Sequence, residues 1–104
     1  MRVLFVIGYV CFIHLMEIYY WRNYKKHEVD FVIKNGENVC CLIQVCADLT
    51  DIKTREREIR SLIEASNELN CDDLIIITFD YDGEEIACNK KITYKAAWKW
   101  LIEH

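Results

Sequence analysis

The sequence contains no proline and only three glycines among its 104 residues. These two residue types punctuate loops and linkers, so their scarcity argues against long flexible connections. A hydrophobic content of 53% excludes a disordered chain. The length lies near the lower end of what buries a stable core, and we therefore predict a single domain over residues 1–104.

Acidic residues outnumber basic ones, and the formal net charge is −4. A whole-chain basic field for nucleic acid is therefore missing, although a local patch stays open. One basic run lies in a predicted helix and supplies the nucleic-acid-binding candidates: Lys53, Arg55, Arg57 and Arg60. A solvated helix face is the alternative interpretation of this run.

Zinc and redox motifs are absent despite six cysteines. No CxxC occurs, and no His/Cys set has the spacing of a zinc site. Most of the cysteines lie in or beside apolar runs, which is typical of buried thiols. We therefore predict reduced thiols in a cytoplasmic protein.

The N-terminal run "MRVLFVIGYVCFIHLM" resembles a secretory signal, because Arg2 precedes a mostly apolar stretch. It lacks a small-x-small cleavage site, and it is short of the roughly 20 residues that span a bilayer. We predict a buried helix over about residues 1–16, truncated or complete, and no membrane partner. A signal or anchor segment is the alternative.

The central stretch "HEVDFVIKNGENVCCLIQVCAD" predicts a β-hairpin around Asn35-Gly36. Its strands are Glu28 to Lys34 and Val39 to Cys46. Alternation places the apolar residues Val29, Phe31 and Ile33 on one face of the first strand. The opposite face of that strand carries Glu28, Asp30, Val32 and Lys34.

The loop length fixes which residues of the hairpin face each other. A three-residue loop over residues 36–38 pairs Asn35 with Val39 and keeps the apolar faces unmixed. This register sets Asp30 opposite Gln44 and Glu28 opposite Cys46. The polar groups of the hairpin then converge at its open end, on one face.

The remaining elements follow from periodicity. "EIYYW" predicts a first strand, and a helix runs from Thr50 or Asp51 to about Leu69. The buried stripe predicted for this helix consists of Ile59, Leu62, Ile63 and Leu69, with Ala65 and Ser66. "DDLIIITFD" predicts a central strand, followed by short strands at Glu85 to Cys88 and Lys91 to Tyr94, and "AAWKWLIEH" predicts a closing helix. The order α-β-β-β-α-β-β-β-α indicates an α/β domain with a mixed sheet flanked by helices.

The open end of the hairpin carries the pattern of a metal-dependent nuclease. Such sites place an aspartate on one strand and (D/E)-x-K on the next, because hard oxygens hold Mg²⁺ and the lysine helps to activate water. The corresponding positions here are Asp30, Gln44 and Cys46. Glu28 is a further catalytic candidate, and Asp30 is the candidate metal ligand.

Several segments in order, among them "HEVDFVIKNGENV", "LIQVCADL", "TREREIRSL" and "LIIITFD", resemble one family over roughly residues 17–104. The chain is similar to the C-terminal domain of archaeal and bacterial P-loop ATPases that carry a restriction-endonuclease-like, PD-(D/E)XK-type module. The resemblance implies a nuclease-like fold, with Asp30 and Gln44 at metal-binding positions. It also places Thr54, Arg55 and Glu56 in the family's helix motif.

The sequence departs from an active pattern in three ways. Gln44 replaces the acid, Cys46 replaces the lysine, and the first helix has no glutamate. One lost electrostatic contact of this kind costs about 3 kcal/mol in the transition state. The P-loop motif GxxxxGK[ST] is absent as well, so the chain looks like a severed or degenerate remnant of a larger protein.

These departures favour a non-catalytic module that serves in protein interaction, or in weak nucleic-acid interaction. We expect no cofactor and self-association as a homodimer through exposed apolar surface. The alternative is a metal-dependent DNA or RNA nuclease that uses Asp30 and Gln44 with Mg²⁺ or Mn²⁺.

Overall fold

The computed structural model describes residues 16–46 and 49–97. These residues form six strands and one helix. The elements in chain order are β1 (Met16–Arg22), β2 (Glu28–Asn35), β3 (Asn38–Val45), α1 (Ile52–Leu69), β4 (Leu74–Thr78), β5 (Gly83–Ala87) and β6 (Lys90–Ala96).

All six strands belong to one sheet with the order β1-β2-β3-β4-β6-β5. β1, β2 and β3 pair antiparallel, β3 and β6 each pair parallel with β4, and β5 pairs antiparallel with β6. The predicted mixed sheet is therefore confirmed, as is the central position of β4. The described order, β-β-β-α-β-β-β, differs from the predicted one in its two terminal helices, which lie outside the described residues.

Helix α1 connects β3 to β4 and covers one face of the sheet. The side chain of Asp51 caps its N-terminus by accepting hydrogen bonds from the Thr54 N–H (3.3 Å) and hydroxyl (2.9 Å). Asn70 ends the helix in the left-handed conformation, with φ of 56°. The predicted apolar stripe is confirmed, because Leu62, Ala65 and their neighbours are buried against the sheet.

The β2–β3 hairpin reaches its predicted register by a different route. The loop has two residues rather than three, because Asn35 pairs with Asn38 across Gly36 and Glu37. A bulge at Cys40 then shifts the register by one residue. Beyond this bulge Phe31 pairs with Ile43, the alignment expected from the longer loop.

A second register shift lies on the other side of β2. Two β2 residues, Asp30 and Phe31, lie opposite the single β1 residue Tyr20. The shift interrupts the alternation, so Val29 and Val32 belong to the same core cluster beneath α1. The prediction that Val29 shares a face with Phe31 and Ile33 is therefore wrong. Ile33, Ile43 and Ile77 form a second cluster on the opposite face of the sheet.

Other expectations are refined at the ends of the elements. β6 continues to Ala96, so the predicted closing helix cannot begin at residue 96, and the rest of it falls outside the described residues after Ala97. Of the five cysteines in the described ranges, none forms a disulfide, and Cys88 is exposed rather than buried. Within residues 16–46 and 49–97, no helix combines the length and apolarity needed to cross a membrane.

The two tight turns allow a test of backbone conformation alone. Gly36 has φ of 66° and open space around its Cα, so Gly36→Ala is expected to cost about 1 kcal/mol of unfolding free energy.

Cys88 and Asn89 have φ of 51° and 64° in the β5–β6 turn, a position that favours Asn-Gly. The double variant C88N/N89G should therefore gain about 0.5–1 kcal/mol. Urea unfolding measures both, and equal signs for the two changes would contradict the assignment.

Candidate functional site

The predicted site residues at the hairpin end are held together by Gln44. Its side chain is 1% exposed and lies between the backbones of β2 and β3. Its Oε1 accepts a hydrogen bond from the Asp30 N–H at 2.8 Å, and its Nε2 donates to the Glu28 carbonyl oxygen at 2.6 Å. The amide therefore satisfies two β2 backbone groups just where the ladder of residue pairs ends, at Phe31 and Ile43.

The Asp30 side chain on β2 forms a reciprocal hydrogen bond with the backbone of β3. Its Oδ2 accepts a hydrogen bond from the Val45 N–H at 2.9 Å. Burial raises the pKa of the Asp30 carboxyl, the Val45 hydrogen bond opposes that rise, and the charge of Glu28 adds to it. Asp30 and Gln44 thus meet as predicted, and each side chain accepts a hydrogen bond from the backbone of the other strand.

The other two candidate residues, Glu28 and Cys46, lie in different environments. Glu28 lies on the surface, where one oxygen is 3.8 Å from the Arg22 Nε, and a hydrogen bond with Glu28 raises the pKa of the Tyr20 hydroxyl. Cys46 is 5% exposed and lies in the core cluster beneath α1. The hairpin end therefore brings together Glu28, Asp30 and Gln44, whereas the Cys46 thiol lies in the core.

Helix α1 adds an acidic residue that the sequence analysis missed. Burial raises the pKa of Glu58, and the charge of Asp30 raises it further. Glu58 also borders a cavity of about 50 Å³ together with Glu28, Arg57 and Ser61. Glu58 lies one turn before the buried Leu62, so a helical projection of the predicted stripe could have placed it at the edge of the sheet.

A divalent metal fits this end poorly. In the part of the chain that the structure describes, no three His, Cys, Asp or Glu side chains converge closely enough to hold a metal ion. One oxygen of Asp30 and the amide oxygen of Gln44 already accept backbone N–H groups. Mg²⁺ binds through several oxygens in near-octahedral geometry, and the hydrogen bonds that join β2 to β3 already use part of the acceptor capacity of these two side chains.

One residue of the predicted basic run is separated from the other three. Arg55 pairs with Glu85 at 3.1 Å. Lys53, Arg57 and Arg60 are exposed, and their spacing of i, i+4 and i+7 places them on one face of the helix. Arg57 lies 3.9 Å from Glu58, and Arg60 borders a depression next to Cys88. Three of the four predicted cations therefore share a solvent-facing surface.

A cavity of about 510 Å³ among the described residues was not anticipated from the sequence. It lies at the carboxyl ends of the parallel strands β3 and β4 and next to the N-terminus of α1. Arg55, Thr78, Tyr81, Glu85 and Tyr94 line it. In open α/β sheets this edge is where ligands usually bind.

One side of the cavity is a hydrogen-bonded triad. The Glu85 Oε1 accepts hydrogen bonds from the Tyr94 hydroxyl and from the Arg55 guanidinium. Burial and the bond to Glu85 raise the pKa of Tyr94 to about 12. Burial by itself raises the pKa of Glu85, but the bonds from Tyr94 and Arg55 outweigh it and lower that pKa. The triad therefore holds a stable carboxylate beside the cavity.

Comparison with protein families adds one finding. The family "Domain of unknown function (DUF4143)" matches residues 11–96. The chain belongs to the DUF4143 family. No curated protein and no solved structure matches it.

DUF4143 domains are found at the C-terminus of ATPase proteins. The resemblance to an ATPase C-terminal domain is therefore supported at the level of the family. The match carries no evidence for the PD-(D/E)XK type.

Two substitutions at Asp30 test whether its carboxylate acts as a structural hydrogen-bond acceptor or as a metal ligand. Asp30→Ala removes the acceptor for the Val45 N–H and is expected to lower the unfolding free energy by about 1–2 kcal/mol. Asp30→Asn retains an acceptor oxygen and should cost much less at neutral pH. Urea unfolding measures both variants, and equal losses would contradict a hydrogen-bonding role.

The raised pKa of Asp30 also sets the sign of its pH effect. The folded protein holds this proton more tightly than the unfolded chain, whose pKa is near 3.8. The stabilising contribution is therefore complete below that pH and is lost as pH rises through the folded-state pKa. Asp30→Asn should flatten this decline in part, since Glu58 contributes a decline of the same sign. An unchanged slope would rule out this role for Asp30.

Proposed function

We propose that the chain is a non-catalytic interaction module of the DUF4143 family, built on a nuclease-like scaffold and able to pair with a second copy. One observation supports the proposed loss of catalysis. The oxygens of Asp30 and Gln44 that a metal site needs accept hydrogen bonds that join β2 to β3. Groups committed to the sheet in this way serve its stability.

The nuclease-like origin is supported by the placement of residues at the hairpin end. Asp30 and Gln44 lie on adjacent strands and within hydrogen-bonding reach, as a D and (D/E) pair must. The position of the lysine is held by Cys46, whose thiol is buried in the core. A buried thiol supplies no positive charge to a phosphate, and losing such a contact costs about 3 kcal/mol.

The second candidate function is a metal-dependent nuclease that uses Asp30 and Gln44. Its support is the same strand placement, together with the acidic neighbours Glu28 and Glu58. A functional Mg²⁺ or Mn²⁺ site would stabilise the folded state by mass action. The two functions therefore differ in their response to metal.

For the non-catalytic module, 10 mM Mg²⁺ or Mn²⁺ (a concentration about tenfold above a millimolar Kd) is expected to leave the melting temperature of the wild type unchanged. Calcium at equal ionic strength is the control for general salt effects. Plasmid and branched DNA should remain intact during incubation with either metal. A metal-specific rise in the melting temperature that Asp30→Asn abolishes, or cleavage that Asp30→Asn abolishes, would establish the nuclease instead.

The exposed edge of β1 supports self-association. Its outward residues Ile18, Tyr19 and Tyr20 are 40%, 45% and 57% exposed, and in the described sheet β1 has a neighbour on one side only. An exposed apolar edge strand is a template for pairing with another strand. The opposite edge, β5, is shorter and carries the acidic pair Glu84 and Glu85, which disfavours such pairing.

A second copy suits this edge because antiparallel pairing about a two-fold axis keeps the two faces of the sheet aligned. In one such register Tyr19 faces its own counterpart and Ile18 faces Tyr20. In the next register Tyr20 faces its own counterpart. Aromatic and β-branched cross-strand pairs of this kind contribute roughly 0.2–1 kcal/mol each. The strand is therefore self-complementary.

Light scattering coupled to size-exclusion chromatography tests this interface. The wild type is expected to elute as a dimer, and Ile18→Lys is expected to elute as a monomer because the charge must be desolvated on pairing. Ile86→Lys is the matched control, since Ile86 is exposed on the opposite edge strand. A monomeric wild type, or a dimer that only Ile86→Lys disrupts, would exclude pairing through β1.

The ATPase relationship and the cytoplasmic, bacterial or archaeal setting remain predictions of the proposal. They rest on the sequence resemblance and on the predicted reduced thiols. Neither the metal experiment nor the dimer experiment depends on them.

A further inference from the structure

The cavity at the carboxyl edge of the sheet has the position and size of a ligand site. Its volume of about 510 Å³ lies within the range of small-molecule pockets, which span roughly 300–1,000 Å³. The parallel strands β3, β4 and β6 end at this edge, and residues that follow β3 and β4 contribute to the cavity walls. The hairpin end is a separate place, since Glu28, Asp30, Gln44 and Cys46 do not line the cavity.

The charges inside the cavity are nearly balanced. Arg55 of α1 pairs with Glu85 of β5 at 3.1 Å. The Glu84 carboxylate lies on the opposite face of the sheet, because side chains alternate along β5 and Glu84 pairs there with Lys91 at 3.3 Å. Asp80 adds one exposed carboxylate to the lining. A cation and an anion held side by side favour an uncharged ligand, since a charged one meets a like charge next to the opposite charge.

The Arg55–Glu85 pair keeps hydrogen-bonding capacity for a ligand. The two side chains are 41% and 29% exposed. Their mutual bond joins the Nη2 of Arg55 to the Oε1 of Glu85, and the Tyr94 hydroxyl donates to the same oxygen. A guanidinium has five N–H donors and a carboxylate has about four acceptor sites. The pair therefore offers more donors and acceptor sites, next to each other, than these bonds use.

An aromatic wall stands beside this polar pair. The rings of Tyr81 and Tyr94 pack edge to face, with centroids 5.4 Å apart and an interplanar angle of 69°. Tyr94 is buried, whereas Tyr81 is 46% exposed. The Tyr81 ring therefore remains available to a planar ligand, because flat aromatic groups stack on one another in an offset arrangement.

Gly83 and Thr78 hold Tyr81 in place. A Cβ on Gly83 would lie 2.7 Å from the Tyr81 Cζ and would displace the ring. The Thr78 hydroxyl accepts from the Tyr81 N–H at 2.8 Å and donates to the Tyr81 carbonyl oxygen at 2.7 Å. The position of the aromatic wall is therefore fixed before any ligand arrives, which lowers the entropic cost of binding.

A nucleobase combines the properties that this lining selects. It is planar and uncharged at neutral pH, and it carries donors and acceptors along one edge. Guanine presents its carbonyl oxygen O6 next to the donors N1–H and N2–H₂, so an arginine N–H can donate to O6 while a carboxylate accepts from both nitrogens. Any base has a π-face that stacks on an aromatic side chain. A purely apolar ligand would instead leave the Arg55–Glu85 pair without replacements for its water contacts.

We propose that this cavity binds a nucleobase, with guanine preferred, carried either by a free nucleoside or by a single-stranded nucleic acid. The Tyr81 ring stacks on the base, Arg55 donates to O6, and the Glu85 carboxylate accepts from N1–H and N2–H₂. This inference goes beyond the proposed function and does not rest on it. It requires neither the β1 edge nor a nuclease-like origin.

Titration of the full chain with nucleosides, followed by two-dimensional ¹H–¹⁵N NMR, tests the proposal. Guanosine is expected to shift the resonances of Tyr81, Glu85 and their neighbours. Inosine, which lacks only the N2 amino group, is expected to bind roughly tenfold more weakly because one hydrogen bond to a carboxylate is lost. Ribose should cause no shift. The single strand UUGUU distinguishes the source: tighter binding than guanosine indicates a nucleic acid, and equal or weaker binding indicates a free nucleoside.

Two variants assign the binding to this cavity. Glu85→Gln is expected to weaken guanosine binding roughly tenfold, and Tyr81→Leu should weaken it without a change in charge. Glu84→Gln is the matched control, because Glu84 is the preceding residue of β5 and its carboxylate lies on the other face of the sheet.

Three results would overturn the proposal. They are the absence of any shift up to the solubility limit of guanosine, equal binding of guanosine, inosine and ribose, and undiminished guanosine binding by Tyr81→Leu or Glu85→Gln with a native NMR spectrum. A dimerisation defect in Ile18→Lys leaves the binding result unaffected, so the two proposals fail separately.

Discussion

The Gln44 side chain takes over the pairing of β2 and β3 where the residue ladder stops. Its amide accepts from one β2 residue and donates to another, while Asp30 of β2 accepts from the β3 backbone. β3 is also the strand that joins the antiparallel half of the sheet to the parallel half. An unsatisfied amide at this buried point would cost roughly 1–3 kcal/mol per group. The position of the hairpin against the rest of the sheet therefore depends on this bridge.

The same bridge limits what the hairpin end can do. Burial raises the pKa of Asp30 and of Glu58, and the charge of the neighbouring Glu28 adds to both. In a nuclease such proximity is balanced by a metal ion and a lysine. Here it is relieved by backbone hydrogen bonds and by the flanking cations Arg22 and Arg57. The observed hydrogen bonds make Asp30 and Gln44 a structural connection between β2 and β3.

The two edges of the sheet differ in chemical character. β1 presents an apolar edge, and β5 presents an acidic one. The cavity bordered by α1, β4, β5 and β6 contains the ion pair of Arg55 with Glu85. Lys53, Arg57 and Arg60 share the exposed face of α1, in a chain whose formal net charge is −4.

The sequence by itself determined the elements and most of the hairpin. Periodicity located β1, β2, β3, α1 and β4 because each element buries one face, and burial leaves a repeat of two or 3.6 residues in the chain. The register predicted from the sequence also placed Asp30 opposite Gln44. The tertiary structure decided how they meet, because a two-residue loop and a bulge at Cys40 give the same register as a three-residue loop.

Only the tertiary structure decided the cavity and the role of Arg55. Glu85 and Tyr94 meet within the antiparallel β5–β6 hairpin, and the crossover of α1 brings Arg55 to them from 30 residues before Glu85. The local repeat of apolar residues carries no information about contacts between residues that are distant in the chain. The second bulge, which turned Val29 towards the helix, was hidden for a related reason: a bulge is a property of two paired strands, and the sequence shows one strand at a time.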